Sequence, residues 1–321
     1  MLRVKSKDNI VALSIIVGKA ARKGIVVPYW RAMRFYKIRP PPGTTASTPS
    51  SPAPFYFLMF MNRLTQTFTR TRDENRAALI GYFTAGDPDI EKSFDILDAA
   101  CGAGLDVLEI GVPFSDPTAD GPVIQRAAGR ALRNGMTLEV GIEFVRRLRK
   151  RHELPIILFS YYNPVLAMGT EKFVTESIAA GADGALVVDL PNEMADEITR
   201  HVKPSDAFAF IRLVAPTTDP IRRREILSQA EGFVYVVSRR GVTGVGGIDW
   251  NAISDEMKEL RKETKIPLCV GFGIATAKDV ENVAKIADGA IIGSAFQRII
   301  EEQPQTAVDA VVSFIKTLRK K

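Results

Sequence analysis

Eight short apolar runs alternating with amphipathic stretches constrain this chain more than any other feature. The runs are LIGYFT (79–84), LDVLEIG (105–111), PIILFSY (155–161), GALVVDL (184–190), FAFIRLV (208–214), FVYVVS (233–238), IPLCVGF (266–272) and GAIIG (289–293). Amphipathic segments follow them near 90–102, 137–151, 171–180, 192–202, 219–229, 251–263, 277–286 and 304–319. Runs that are apolar throughout suit parallel strands covered on both faces. Eight strand–helix units in about 250 residues predict an α/β fold of the (β/α)8 TIM barrel type. An extra helix is expected at about 63–77, before the first strand. A doubly wound open sheet is the structural alternative.

The first sixty residues do not share this pattern. They hold ten Lys or Arg and one acid, Asp8, so residues 61–321 carry 33 basic and 36 acidic groups. The net charge of +6 therefore belongs to the leader, and the body gives no electrostatic case for nucleic-acid binding. PPPGTTASTPSSPAP (40–54) reads as a linker. The apolar runs at 11–28 and 55–61 are too short for the ~20 residues of a membrane helix. Three readings of residues 1–60 stand open: an annotated start that is too early, with Met59 and Met61 just ahead of the regular pattern, a targeting leader, and a functional arm. Residues 61–321 are expected to form the catalytic barrel. The 46% apolar content supplies a core, and Cys101 and Cys269 sit in apolar surroundings with no metal-ligand spacing.

A barrel places function at the carboxyl ends of its strands. In the second run, alternation puts Val107, Glu109 and Gly111 on one face and Leu108 and Ile110 on the other. If Leu108 and Ile110 pack on helices, Glu109 points into the barrel, where desolvation raises its pKa and equips it for proton transfer. A Glu paired with a buried Arg is the competing reading. Asp120 lies in the loop behind, among Gly111, Pro113, Pro117, Gly121 and Pro122, and is open to a turn role or a catalytic one. Asp116 reads as a loop-structuring or partner-facing group. Neither His152 nor His201 falls at a strand end, which argues against histidine-based or His-ligated metal chemistry. Small residues after runs seven and eight, at Gly273, Gly293 and Ser294, can present backbone N–H groups to an anion or merely serve turns. SRRGVTGVGG (238–247) suits a loop that closes over substrate.

Several segments together resemble the tryptophan synthase alpha subunit family. LEIGVPFSDPTADGP (108–122) carries most of the likeness. It is joined, in family order, by GYFTAGDP (81–88), YYNP (161–164), VVDLP (187–191), SRRGVTG (238–244), GFGI (271–274) and GSA (293–295). The resemblance spans roughly 62–320 and implies cofactor-free retro-aldol cleavage of indole-3-glycerol phosphate to indole and glyceraldehyde 3-phosphate. It implies that Glu109 is the general acid/base and that Asp120 bonds the indole N–H. Tyr235 matches a substrate-site tyrosine, while Tyr82, Tyr161, Ile124 and Phe272 match the indole pocket. Gly244, Gly273, Gly293 and Ser294 match phosphate-binding positions, and Thr243 matches the lid residue that contacts Asp120. Arg240 departs from the small residue common in the family. The implied partner is the beta subunit, which holds pyridoxal phosphate and receives indole through a tunnel in an α2β2 complex; no metal and no cofactor are implied for this chain. A cytoplasmic location is expected, or an organelle if residues 1–60 are a transit peptide. A stand-alone indole-releasing lyase and a non-catalytic activating subunit are the alternatives, the latter disfavoured by the presence of both Glu109 and Asp120. A sugar-phosphate isomerase or epimerase is disfavoured by the missing metal-binding histidines.

Overall fold

Parallel strands of apolar side chains need cover on both faces, and the chain supplies it by alternation. The computed structural model describes residues 62–237, 248–271 and 273–319. The leader, the linker and the glycine-rich 238–247 lie outside those residues. The strands are β1 (Ala78–Thr84), β2 (Val107–Gly111), β3 (Ile156–Ser160), β4 (Gly184–Val187), β5 (Ala209–Phe210), β6 (Arg212–Val214), β7 (Val234–Val237), β8 (Leu268–Gly271) and β9 (Gly289–Ile292). They form one sheet in the order β5-β4-β3-β2-β1-β9-β8-β7-β6, with β1 parallel to both β2 and β9.

The two sheet ends are one sequence run. Ala209 and Phe210 pair with β4, whereas Arg212 to Val214 pair with β7. Only Ile211 separates β5 from β6. The run that reads as a single strand changes partner at this residue, and the ring of eight closes there. The (β/α)8 barrel is the fold observed.

Around the ring stand α1 (Arg63–Asp73), α2 (Ile90–Ala103), α3 (Pro122–Arg133), α4 (Leu138–Arg149), α5 (Tyr162–Met168), α6 (Thr170–Ala180), α7 (Asp196–Thr199), α8 (Pro220–Ser228), α9 (Trp250–Glu263), α10 (Ala277–Ala284), α11 (Ser294–Glu302) and α12 (Ala307–Leu318). None of the helices among the described residues is long and apolar enough to cross a membrane. The helix expected at 63–77 ends at Asp73. The segment expected as a helix over 192–202 breaks into a 3-10 turn (Asn192–Met194) and the single turn α7. Its apolar face is too narrow: Ala195 and Ile198 are buried, but Met194 is 47% exposed. Three helices, α3, α5 and α11, stand where none was expected.

Period-2 alternation sorts the side chains as the sequence requires. Val107, Ile157, Leu186, Ile211 and Cys269 pack together inside the ring. Leu108, Ile110 and Leu158 pack in the layer beneath the helices. At the amino end of the barrel α1 acts as a plug, with Leu64 and Phe68 entering the interior cluster and the Phe68 ring 5.8 Å from that of Phe233.

The same end is fastened by a repeated device. Asp106, Asp183 and Asp288 each directly precede a strand, β2, β4 and β9, in the related stretches LDVLEIG, ADGALVV and ADGAIIG. Each carboxylate accepts a backbone N–H at the foot of the preceding strand: Leu79 to Asp106 at 2.8 Å, Ile156 to Asp183 at 2.9 Å and Leu268 to Asp288 at 2.7 Å. Arginines complete the pairs. Arg70, Arg76 and Arg319 meet Asp106 at 2.8, 2.7 and 2.6 Å. Arg149 and Arg63 meet Asp183 at 2.7 and 3.2 Å, and Arg261 pairs with Asp288. Burial alone raises a carboxyl pKa, but around Asp106 the arginines and the Leu79 N–H outweigh it and hold the group below its usual value. At Asp183, burial outweighs Arg149 and Arg63, and the pKa is raised.

Replacing the buried Asp106 leaves three guanidinium groups without their anion. Asp106→Asn is expected to lower unfolding free energy by about 3 kcal/mol near neutral pH. Because the folded pKa is depressed, this contribution is present above the unfolded carboxyl value of about 3.9 and disappears as pH falls through the folded one. Denaturant titrations of both proteins at several pH values should show their stabilities converging in acid. A constant difference across that range would contradict the account.

Candidate active site

At the carboxyl end of the ring, β2 places Glu109 between Tyr82 on β1 and Ile157 on β3. The inward parity of Val107 carries Glu109 into the barrel, where it is fully buried. Neither carboxyl oxygen has a hydrogen-bond partner among the described residues. The paired-arginine reading therefore finds no support there. Desolvation with nothing to offset it lifts the Glu109 pKa to about 8, so the side chain is a neutral acid at neutral pH.

Asp120 is treated differently by its loop. Its backbone N–H closes a turn on the Pro117 carbonyl at 3.0 Å, as a turn residue would. Its side chain does more: Oδ2 accepts the Tyr161 hydroxyl proton at 3.0 Å. The Tyr161 oxygen in turn accepts the Ala119 N–H at 3.0 Å, and its ring stacks on Phe114 with centroids 5.0 Å apart. Burial raises the Asp120 pKa to about 6, with the Tyr161 bond opposing the rise. Two carboxyl groups from one strand and its loop thus hold different protonation states near pH 7. One is ready to give a proton and the other is mostly an anion. Asp116 is an exposed loop residue whose Oδ2 accepts the neighbouring Ser115 hydroxyl at 2.6 Å.

Tyr82 and Tyr235 complete the mouth by a shared device. Each phenol leans over the glycine that ends the next strand of the ring, Gly111 for Tyr82 and Gly271 for Tyr235. A Cβ on either glycine would lie 2.3 Å from the tyrosine oxygen, so only glycine admits these rings. Glu109 and Asp120 both act on the two phenols, which burial and these acids push well above the usual tyrosine pKa. Ile124, on α3, packs against the interior cluster, as Tyr235 does. The structure thus brings Glu109, Asp120, Tyr82, Tyr161, Tyr235 and Ile124 to one mouth. Phe272, Thr243 and Gly244 lie outside the described residues.

Gly273 follows β8 with φ +81°, a left-handed backbone that glycine adopts freely. Gly293 precedes α11, whose first turn begins at Ser294 and has no side-chain cap. The neighbouring α10 is closed by Thr276 and Asp279, which cap each other's backbone N–H groups. Of these two helix ends, α11 therefore keeps its amide donors for an anion.

Comparison with known proteins identifies the family. A family model described as tryptophan synthase alpha chain matches residues 68–321. The chain belongs to the tryptophan synthase alpha chain family. A tryptophan synthase alpha chain of Desulfosudis oleivorans is 53% identical over 242 residues, covering 75% of this chain and 91% of the relative. One from Methylibium petroleiphilum is 42% identical over 262 residues, covering 81% and 96%. Among solved structures, tryptophan synthase subunit alpha from Legionella pneumophila superposes with TM-score 0.74 at 35% identity, covering 81% of this chain and 97% of that one. A tryptophan synthase structure from M. tuberculosis in an aminoacrylate-bound form gives TM-score 0.72 at 31% identity, covering 80% and 98%. Tryptophan synthase alpha chains are lyases, and the role of this member lies in tryptophan biosynthesis.

One part of the site escapes motif reading. Arg130 of α3 grips the buried Asp87 through both carboxyl oxygens, at 2.7 and 2.9 Å, and also meets Glu301 of α11 at 2.7 Å. The loop after β1, the helix behind Asp120 and the helix behind Gly293 are tied by this one side chain. GDP in GYFTAGDP was its visible half; the arginine lies in a helix that the sequence pattern did not reveal.

The raised Glu109 pKa carries a stability cost with a definite sign. Its neutral form is accommodated below the unfolded value of about 4.3, and stability is lost as pH rises from there through about 8. Glu109→Gln removes the charge at nearly constant shape. Its unfolding free energy should exceed that of the native chain at pH 8, by a gap on the order of a few kcal/mol, while matching it more closely at pH 5, as denaturant titration would show. A native chain that is the more stable of the two at pH 8 would show that the carboxylate has a partner after all.

Proposed function

We propose that the chain cleaves indole-3-glycerol phosphate to indole and glyceraldehyde 3-phosphate by a retro-aldol reaction. The observation that carries this reading is the buried, unpartnered Glu109 at the same pair of phenols as an Asp120 that Tyr161 helps keep ionised. Neutral Glu109 delivers its proton to C3 of the indole. The ring becomes an iminium cation, and the Asp120 carboxylate bonds its N–H and stabilises the charge. The Glu109 carboxylate then takes the proton of the side-chain hydroxyl. As that proton leaves, the oxygen forms the aldehyde and the bond from C3 to the side chain breaks. Its electron pair restores the C2–C3 double bond, and the iminium π electrons return to nitrogen. The substrate is its own electron sink, so the reading calls for no cofactor.

The uncapped start of α11, with Gly293, Ser294 and Gly273, would receive the phosphate. Tyr82, Tyr235 and Ile124 would flank the indole ring. In this reading the partner is a tryptophan synthase beta subunit in an α2β2 assembly, and the exposed loop carrying Asp116 would face it.

Indole release from purified full-length chain, alone and with a beta subunit, tests the proposal. Glu109→Gln should lower turnover by about 10³-fold or more, and Asp120→Asn by about 10²-fold. Near-native turnover by Glu109→Gln would refute the assignment. The acid must be protonated and Asp120 ionised, so the rate should fall as pH drops through about 6 and again as it rises through about 8. Tyr161→Phe, which removes the donor to Asp120, should move the acid limb to higher pH and leave the alkaline limb in place.

A further inference from the structure

The ring's seam carries a second polar site. A cavity of 430 Å³ opens between the ends of β4 to β6 and the segments that follow them. Ile211 packs inside the barrel, so its neighbour Arg212 points outward into the layer under the helices. Arg212 lines this cavity and is only 6% exposed.

Its surroundings lack the anion that a buried guanidinium ordinarily has. Two of its five donors are used, and both go to neutral amides: Asn192 Oδ1 at 2.8 Å and Gln229 Oε1 at 3.2 Å. Its Nε is buried with no acceptor among the described residues. The Phe210 ring, 5.0 Å from Cζ, offers a weak π contact, and exposed Glu231 acts on it only through space. Burial accordingly holds the Arg212 pKa below its ordinary value.

The rim has the opposite charge. Asp189 and Asp219 are exposed lining residues, and each is engaged through one oxygen. Asp189 Oδ1 accepts the Tyr162 N–H at 2.7 Å, and Asp219 Oδ1 accepts the Ile221 N–H at 2.8 Å. The Oδ2 atoms have no partner assigned among the described residues. The other lining cation, Arg222, is paired with Glu193 at 2.9 Å. Phe210 and Ile226 add apolar wall.

A buried cation and two exposed acids lining one cavity select by charge. The acids oppose a phosphate or a dicarboxylate, and the guanidinium opposes a simple cation. We propose that this cavity binds a small α-amino acid, its carboxylate on Arg212, its ammonium group at Asp189 and Asp219, and its side chain on the apolar wall. The cavity borders the interior cluster at Leu186 and Ile211, but Glu109, Asp120 and the three tyrosines of the mouth are not among its lining residues, and the argument does not depend on the reaction proposed above.

Calorimetric or saturation-transfer titration of the full-length chain with L-leucine and L-tryptophan tests this, with isovalerate and inorganic phosphate as comparators. Saturable binding of at least one amino acid at millimolar concentration or below is expected. Arg212→Met should weaken it about tenfold or more, and its apolar side chain suits the layer, so the fold is expected to hold. The pair Asp189→Asn and Asp219→Asn, which keeps the helix cap, should weaken the amino acid while sparing isovalerate. Glu109→Gln should bind as the native chain does. No saturable amino-acid binding up to about 10 mM, survival of binding in Arg212→Met, preference for phosphate, or loss in Glu109→Gln would each overturn the proposal. Should Arg212→Met fail to fold, the aspartate pair decides.

Discussion

A carboxyl group sealed inside a ring of strands with no donor to meet it sets the terms for the rest of this molecule. Glu109 can be there only because its strand is covered on both faces and because alternation gives each inward position no choice of direction. Keeping it neutral requires that no arginine or lysine reach it, and none among the described residues does. The crowding that excludes cations also explains the glycines. Tyr82 and Tyr235 fill the space beside the acid, and Gly111 and Gly271 provide room where a methyl group would collide with a phenol.

Much of this was legible because it rests on period and parity. Eight apolar runs announce the barrel, and the order Val107, Glu109, Gly111 fixes which side chains look inward. The break at Ile211 was invisible, since FAFIRLV is uniformly suited to a strand and the change of partner is decided by ring closure. The missed helices have local causes. Gly121 and Pro122 read as the end of a loop, yet proline is well placed in a helical first turn, where its missing N–H costs no bond. Asn163 and Pro164 hid α5 in the same way, and Asp189, reaching from the next strand's loop, supplies the acceptor for its first N–H at Tyr162. That acceptor is a tertiary contact, so no local pattern could announce it.

For the site, sequence gave positions and structure gave states. Asp120 is both of the things it could have been: a turn residue through its backbone and a held carboxylate through Tyr161. Motif spacing cannot show that, because Tyr161 arrives from the end of β3, forty-one positions away in the chain. The same limit applies to Arg130, which joins Asp87 to Glu301 across even longer separations. Asp116 keeps to the modest role its loop suggests.

Two acids of one run, Asp106 at the foot of β2 and Glu109 within it, show how the barrel divides its labour. Asp106 and Glu109 are three residues apart, roughly 10 Å along the strand. Both are almost completely buried. Asp106 meets three arginines and a backbone N–H, and its pKa is lowered. Glu109 meets no donor, and its pKa rises to about 8. Burial penalises both charges, so the difference comes from what faces them. At the amino end α1 and the chain's last helix bring arginines to the strand feet, where a fixed anion fastens the ring. At the carboxyl end the facing groups are phenols, aliphatic side chains and glycine. A cation facing Glu109 would lower its pKa and remove the neutral acid, so the charge pairs of the carboxyl end, such as Arg130 with Asp87 and Glu301, stand in the loops and helices behind the mouth and leave this one carboxyl group without a partner.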